Sequence, residues 1–195
     1  MKKPMPTGNE MPEGFDLVYK EAEITSGLKI DRVSATQLSK LEIVELDLVR
    51  ETAIEAIREI VGQRGFDFTL ERELEIWPEG MNPSDKLIFR AYVDASIVGY
   101  TLVVRGWPNR NAWTIQHLII RPEVKRKGIG TQLLMAVERD ALNTTERTDE
   151  IFAVPISHSN DGFWTSLGYS DSGKLDIPIT RLGTREFECF CKKIR

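Results

Sequence analysis

Two cysteines and two histidines are all that the 195 residues contain, and that scarcity removes several function classes. Cys189 and Cys191 stand two apart. In a strand they share a face, where a bridge between them would be strained. A disulfide-stapled scaffold is excluded, and the thiols fit a cytoplasmic chain. Zinc is disfavoured as well, because His117 and His158 lie far in sequence from the cysteine pair. No apolar run is long enough to span a membrane. The N-terminus, Met1-Lys2-Lys3-Pro4-Met5-Pro6, is basic but leads into no apolar stretch, so it does not read as a secretory signal. Positive charge is in deficit: 26 Lys and Arg face 30 Asp and Glu, for a net charge of −4. A nucleic-acid binder ordinarily shows a basic excess, so no nucleic-acid partner is expected. Internal repeats and low-complexity tracts are absent too.

What remains is an ordinary globular mixture, 41% apolar and 29% charged, of a size that suits one domain with a sizeable core. Residues 1–14 hold Pro4, Pro6, Gly8, Pro12 and Gly14 and read as a loose tail before a single domain over 15–195. Leu28 to Val33 alternates in part, as a half-buried strand does. Ser34 with Gln37 has capping-box spacing and predicts a helix over 35–48, its apolar set at Leu38, Leu41, Val44 and Leu48. A second helix is predicted from Glu51 to Val61. Phe66 to Trp77 fits either a bulged strand or a short helix. Pro78 to Ser84 is a loop.

Three strands in a meander follow: Leu87–Val93, Ile97–Val104 and Trp113–Ile120, with turns at Asp94-Ala95-Ser96 and Gly106–Asn111. Ile129, Leu133, Val137 and Ala141 recur at four-residue spacing, a helix face over Ile129–Leu142. A short strand over 150–155, a short helix over 162–167 and two strands at 175–179 and 186–192 complete the chain. The order β-α-α-β-β-β-α-β-α-β-β joins an antiparallel meander to one strand–helix–strand crossover. It predicts an α+β domain with a mixed, mostly antiparallel sheet flanked by helices.

The stretch Val124-Lys125-Arg126-Lys127-Gly128-Ile129-Gly130-Thr131 lies between strand and helix. Such a loop can gather backbone N–H groups into one concavity, and a helix start adds its own unpaired N–H groups. Glycines permit close approach of a ligand, and a phosphate or pyrophosphate is the natural guest. Three consecutive cations favour an anion further. A strand–helix turn with a solvated basic rim explains the same residues more plainly. The P-loop pattern is absent, and the dinucleotide fingerprint fails because Leu133 stands where a third glycine is needed.

The segment Arg121-Pro122-Glu123-Val124-Lys125-Arg126-Lys127-Gly128-Ile129-Gly130-Thr131-Gln132-Leu133-Leu134 resembles the acyl-CoA-binding segment of the GCN5-related N-acetyltransferase (GNAT) family. That family's pattern is Arg/Gln-x-x-Gly-x-Gly/Ala, and Lys125 stands where Arg or Gln is usual. Phe163-Trp164-Thr165-Ser166-Leu167-Gly168-Tyr169 resembles a second feature of the family, an aromatic pair followed by Gly and an aromatic. The resemblance implies the acyl-CoA N-acyltransferase fold and the use of acetyl-CoA. It also implies transfer of the acetyl group to a primary amine of a small molecule or a protein, by a monomer or homodimer. A non-catalytic acyl-CoA-binding module on the same fold is the alternative.

By the same resemblance, the backbone of Leu118, Ile119 and Ile120 holds the pantetheine. Lys125, Arg126, Lys127, Gly128, Ile129, Gly130 and Thr131 wrap the pyrophosphate. Ser157 takes the place of a family asparagine, and Trp164 takes the place of a tyrosine that serves as general acid. An indole N–H donates a hydrogen bond but does not give up its proton. That leaves Ser166 or Tyr169 as substitutes, or no acid at all. His117 is the candidate base on the third meander strand. Strict alternation puts it on the face opposite Thr114 and Gln116, and a bulge would bring it round. A histidine merely satisfied within the sheet is the competing reading. Glu71, Glu73 and Glu75 read as a solvated face or as carboxylates near an acceptor. Trp107 and Trp113 either line an acceptor pocket or clasp their turn.

Overall fold

The computed structural model describes residues 27–55, 69–75, 81–155, 161–180 and 183–195. The expected tail, Ser157, and the expected helix beyond residue 55 lie outside the described residues. Seven strands form one sheet: β1 (Lys29–Ser34), β2 (Lys86–Val93), β3 (Ser96–Arg105), β4 (Ala112–Ile120), β5 (Glu150–Ala153), β6 (Ser170–Thr180) and β7 (Gly183–Lys193). Their spatial order is β1-β2-β3-β4-β5-β7-β6. The β4–β5 pair is parallel and the others are antiparallel. Helices α1 (Lys40–Glu55), α2 (Leu70–Glu75), α3 (Ile129–Asn143) and α4 (Asp161–Ser166) accompany it. The mixed, mostly antiparallel α+β architecture agrees with the element order read from the sequence. Among the described residues, no helix is long and apolar enough to cross a membrane.

The central strands β2 and β3 are buried on both faces, which is why they read as near-continuous apolar runs. On one face Phe89, Val103, Trp113 and Ile115 pack with Leu133, Leu134, Val137 and Ala141 of α3. On the other, Ile88, Tyr100, Leu102 and Ile119 pack with Leu46, Val49 and Ala53 of α1 and Leu70 and Leu74 of α2. Arg90 of β2 fastens the outer elements: it donates to Asp31 of β1 at 2.8 and 2.6 Å and to Glu42 of α1 at 2.5 Å.

Three sequence expectations need correction here. The Ser34–Gln37 signal caps a single 3₁₀ turn at Ala35–Gln37. The helix proper begins after Ser39, whose backbone N–H and hydroxyl both bond the Glu42 carboxylate, and it continues through Glu55 where a break near Glu51 was expected. Two Ser-x-x-acceptor spacings lie five residues apart, and only the second precedes enough helix-forming chain to propagate. The buried stripe of this helix was also misplaced. Leu41, Val44 and Leu48 are exposed, at 70%, 54% and 53%, while Leu46, Val49 and Ala53 are buried. The helix carries two apolar stripes of the same period, and periodicity alone cannot choose between them. The 66–77 ambiguity resolves in its described part to helix α2.

Candidate active site

Strand β4 pairs with β5 only from Ala112–Glu150 to Ile115–Ala153. Val154 N–H makes one more bond to the Ile115 carbonyl, at 3.1 Å. Beyond that point β4 runs on to Ile120 along β3, and no described strand lies on its other side. Among the described residues the outer edge of Gln116–Ile120 is therefore left unpaired, a notch in the sheet where the parallel ladder ends. Leu118, Ile119 and Ile120 form this stretch of strand. Leu118 and Ile120 pack toward α3 and Ile119 toward α1, so the backbone edge is left for a ligand to pair with. Gly99 on β3 lets the strands approach at this end. A Cβ there would stand 2.7 Å from the Ile119 carbonyl oxygen and 2.6 Å from Ile120 Cδ1.

The bulge that His117 needs is present. Leu102 pairs with His117 and Val103 with Ile115, leaving Gln116 as the extra residue. One inserted residue reverses the facing of everything after it. Trp113 and Ile115 face α3, whereas His117 and Ile119 face α1 and α2. His117 Nε2 lies 2.8 Å from Glu73 Oε2 of α2, with both side chains 17% exposed. The ring N–H does not lie along that line, and Oε2 has no other partner. Arg50 of α1, 3% exposed, pairs with Glu73 Oε1 at 2.8 Å. Lys86 Nζ of β2 donates to the Glu73 main-chain carbonyl at 2.5 Å. Burial pushes the Glu73 carboxyl upward, but the charges of His117, Arg50 and Lys86 prevail and hold it below its ordinary value. Burial lowers Lys86 to about 8, against the opposing pull of Glu73.

Glu73 is the functional candidate that sequence spacing understated. Glutamates at 71, 73 and 75 alternate, and in a strand they share one solvated face. In a helix successive residues turn by about 100°. Glu71 and Glu75 are exposed on one side, while Glu73 points inward. The inward position of Leu70 and Leu74 was the available signal, since Glu73 lies between them on the same turn.

At the far end of the notch a 3₁₀ turn, Pro122–Val124, leads into the basic loop. Arg126 and Gly128 both have left-handed backbone, φ 62° and 74°. These two reversals bring the loop round to the start of α3. Lys125 and Arg126 are exposed. The first helical bond of α3 runs from Gln132 N–H to the Gly128 carbonyl, and no side chain caps the helix. The N–H groups of Ile129, Gly130 and Thr131 are therefore free to bind an anion. Phe163 of α4 lies over this turn, its ring 3.5 Å from where a Gly130 Cβ would stand. Lys127 is half-buried beside them. This donor set, with cations at its rim and a free strand edge leading from it, fits the pyrophosphate and amide arm of a coenzyme A thioester.

The second motif supplies packing. Trp164 is 4% exposed and belongs to the core. It meets Phe163 and Tyr169 edge to face at 5.2 and 5.4 Å. Ser166 is spent on the Phe163 carbonyl at 2.7 Å, and burial pushes the Tyr169 phenol far above its ordinary value. Trp113 is likewise a core residue, 2% exposed.

The sequence matches the acetyltransferase (GNAT) domain family over residues 59–176. No curated protein matches it significantly in sequence. Among solved structures it is similar to an acetyltransferase from Thermus thermophilus, with 19% identity, TM-score 0.60, and 86% of this chain and 98% of that one covered. It is also similar to the ribosomal-protein-S18-alanine N-acetyltransferase of Escherichia coli, with 12% identity, TM-score 0.57, and coverage of 85% and 94%. An aminoglycoside acetyltransferase from an uncultured soil metagenomic sample follows, with 19% identity, TM-score 0.51, and coverage of 75% and 88%. At these identities the structural likeness speaks for the fold alone. The family match over more than half of the chain, on a sheet that parts beside a basic glycine loop, identifies the chain as a member of the GNAT acetyltransferase family.

Proposed function

We propose that the protein transfers an acetyl group from acetyl-CoA to a primary amine, with His117 taking the amine's proton. The observation that carries this reading is the bulge at Gln116. It turns His117 against Glu73 at the point where β4 leaves β5. The basic loop and the α3 N-terminus are suited to hold the pyrophosphate, and the Leu118–Ile120 edge is suited to hold the pantetheine amides. Acetyl-CoA supplies the activated acyl group as a thioester.

Transfer asks two things of the protein's own residues. A protonated amine must lose a proton before it attacks, and an imidazole suits this near neutral pH. The departing thiolate must also be tolerated. Trp164 is buried, Ser166 is bonded to a carbonyl and the Tyr169 phenol is buried, so none of these three is suited to protonate the thiolate, and in this reading it leaves unaided. A free thiol has a pKa of about 8.5, so this is a fair leaving group. The exposed Glu71 and Glu75 on α2 suit an acceptor that carries positive charge, either a small amine or a protein amine. The buried Trp164 is also the observation that favours the rival, a module that binds acyl-CoA without turnover.

A thermal-shift series with acetyl-CoA, CoA and ATP, paired with a CoA-release assay over a panel of amines, tests the reading. A ligand at a hundredfold its Kd adds about 2.7 kcal/mol of apparent stability. The expected outcome is stabilisation by both CoA species and turnover with at least one amine. Stabilisation without turnover would transfer the case to the binding module. No shift at millimolar CoA would end both.

A further inference from the structure

We infer that Glu73 is a positioning residue for His117: its carboxylate, pinned from the far side by Arg50, claims Nε2 and leaves Nδ1 as the nitrogen that accepts the proton. This rests on the proposed role of His117 as base.

The argument begins with how thoroughly Glu73 is held without help from the histidine. Asp47 of α1 accepts the Leu70 N–H at 2.7 Å and so caps α2. The Glu73 N–H bonds the Thr69 carbonyl at 3.1 Å. Lys86 takes the Glu73 carbonyl, and Arg50 takes Oε1. Oε2 is the one polar atom left over, and it faces Nε2 at hydrogen-bond length. Rotation of the ring would align the N–H with it. Such off-line geometry is common in sites that tighten only when substrate is bound.

The surroundings specify what this contact does. Among the described residues, four elements besides β4 bring polar groups to the cluster: Asp47 and Arg50 from α1, Glu73 from α2, Lys86 from β2 and Tyr100 from β3. Tyr100 is fully buried and its hydroxyl has no partner. Burial keeps the phenol protonated, with Arg50 opposing and Glu73 and Asp47 adding to the effect, so it competes with nothing as a base. Glu73 is thus the negative charge in direct contact with the ring; burial opposes its ionisation, and His117 first, then Arg50 and Lys86, favour it. A neutral imidazole has one N–H and one lone pair, and the nitrogen bonded to a carboxylate carries the N–H. The lone pair then sits on Nδ1. In the reaction an ammonium R–NH₃⁺ gives its proton to Nδ1, forming R–NH₂ and an imidazolium whose charge is paired with Glu73. The freed amine attacks the thioester carbonyl to form the C–N bond, and the C–S bond breaks with its electron pair on sulfur. The new amide nitrogen sheds its second proton, which ends on the thiolate as CoA-SH, and the imidazolium returns its proton to solvent.

A structural ion pair alone would have no preference between the ring nitrogens in catalysis, and this gives the test. With only two histidines in the chain, ¹⁵N two-bond correlation spectra of the wild-type protein, with His158→Gln to assign the signals, read the His117 tautomer without any turnover. The neutral ring is expected to be the Nε2–H form. Steady-state rates and pH profiles then compare wild type with Glu73→Gln and Glu73→Asp. Glu73→Gln can donate to Nε2 and favour the wrong tautomer, so kcat should fall by at least about tenfold. Acetyl-CoA KM should hold, the pH profile should change, and Glu73→Asp should restore part of the rate. A wild-type Nδ1–H tautomer would overturn the inference. So would a folded Glu73→Gln with full kcat and an unaltered pH profile. If His117→Gln keeps wild-type kcat, the base assignment itself falls, and the inference about catalysis falls with it. A wild type that turns over no amine sinks the transferase reading, while the tautomer still decides whether Glu73 orients the ring.

Discussion

Gly99→Ala tests whether the end of β4 is held where the notch requires it. A methyl group at this position would stand 2.7 Å from the Ile119 carbonyl oxygen and 2.6 Å from Ile120 Cδ1. Carbon and a neighbouring heavy atom rest comfortably at about 3.5 Å, so each contact is short by somewhat less than 1 Å. The Ile120 side chain can rotate away. The Ile119 carbonyl cannot, because Ile119 pairs with Tyr100, and the Gly99–Ile120 pair is the last one before Arg121. Relief must come from moving the strand. Overpacking of this kind costs about 1–3 kcal/mol. For a chain of this size each kcal/mol lowers Tm by roughly 2–4 °C, so a fall of about 2–12 °C is expected by calorimetry. Acetyl-CoA affinity should fall in addition, because the displaced backbone is the edge beside the notch. Pairing Gly99→Ala with Ile120→Val separates the two contacts. Removing Cδ1 leaves the carbonyl in place, so little stability should return. Full rescue by Ile120→Val, or an unchanged Tm in Gly99→Ala alone, would refute the backbone argument.

In the basic loop, Gly130→Ala should leave Tm unchanged or slightly higher, since its methyl makes only ordinary contacts at 3.5 and 3.7 Å with Phe163 and Leu118 and alanine favours a helix by about 1 kcal/mol. It should still weaken acetyl-CoA binding more than Lys127→Ala, by calorimetric titration, because the methyl fills space between Phe163 and Leu118 beside the proposed pyrophosphate turn; the reverse ranking would make the proposed site a charge patch. Gly128→Ala, at φ 74°, should cost about 1–2 kcal/mol of stability in chemical denaturation, whereas Arg126→Gly at φ 62° should relieve strain. At low pH, Glu42 is the carboxylate to follow. Hydrogen bonds from the Ser39 side chain and backbone, and then Arg90, lower it from 4.5 to about 2. A depressed carboxyl stabilises the fold fully above the unfolded value and loses that effect as pH falls through the folded one. Glu42→Gln should therefore lower stability at pH 7 and flatten the decline between 4.5 and 2 in pH-dependent melts.

Much of this molecule follows from short-range features of the chain. The meander, the crossover helix and the glycine loop were legible because alternation, four-residue recurrence and glycine placement act over a few residues. β2, β3, β4 and α3 fall within one or two residues of their sequence boundaries. The family resemblance rested on the same local stretches. What only the tertiary structure decided has a common character: each case is a choice between local arrangements of similar energy. Helix α1 has two apolar stripes, and the sheet selected the one that includes Leu46 and Val49 and carries Arg50 inward with them. The acidic run at 71–75 reads equally as strand or helix, and Asp47 on a different helix caps it as α2. The facing of His117 depends on one unpaired residue, Gln116, which no periodicity marks, because a bulge is a mismatch between two strands and belongs to neither. The His117–Glu73 contact needed the bulge, the helix and the chosen stripe together, joining residues 44 positions apart. A sequence records each residue's own preferences, and a site assembled from three elements is settled only by the packing that brings them together.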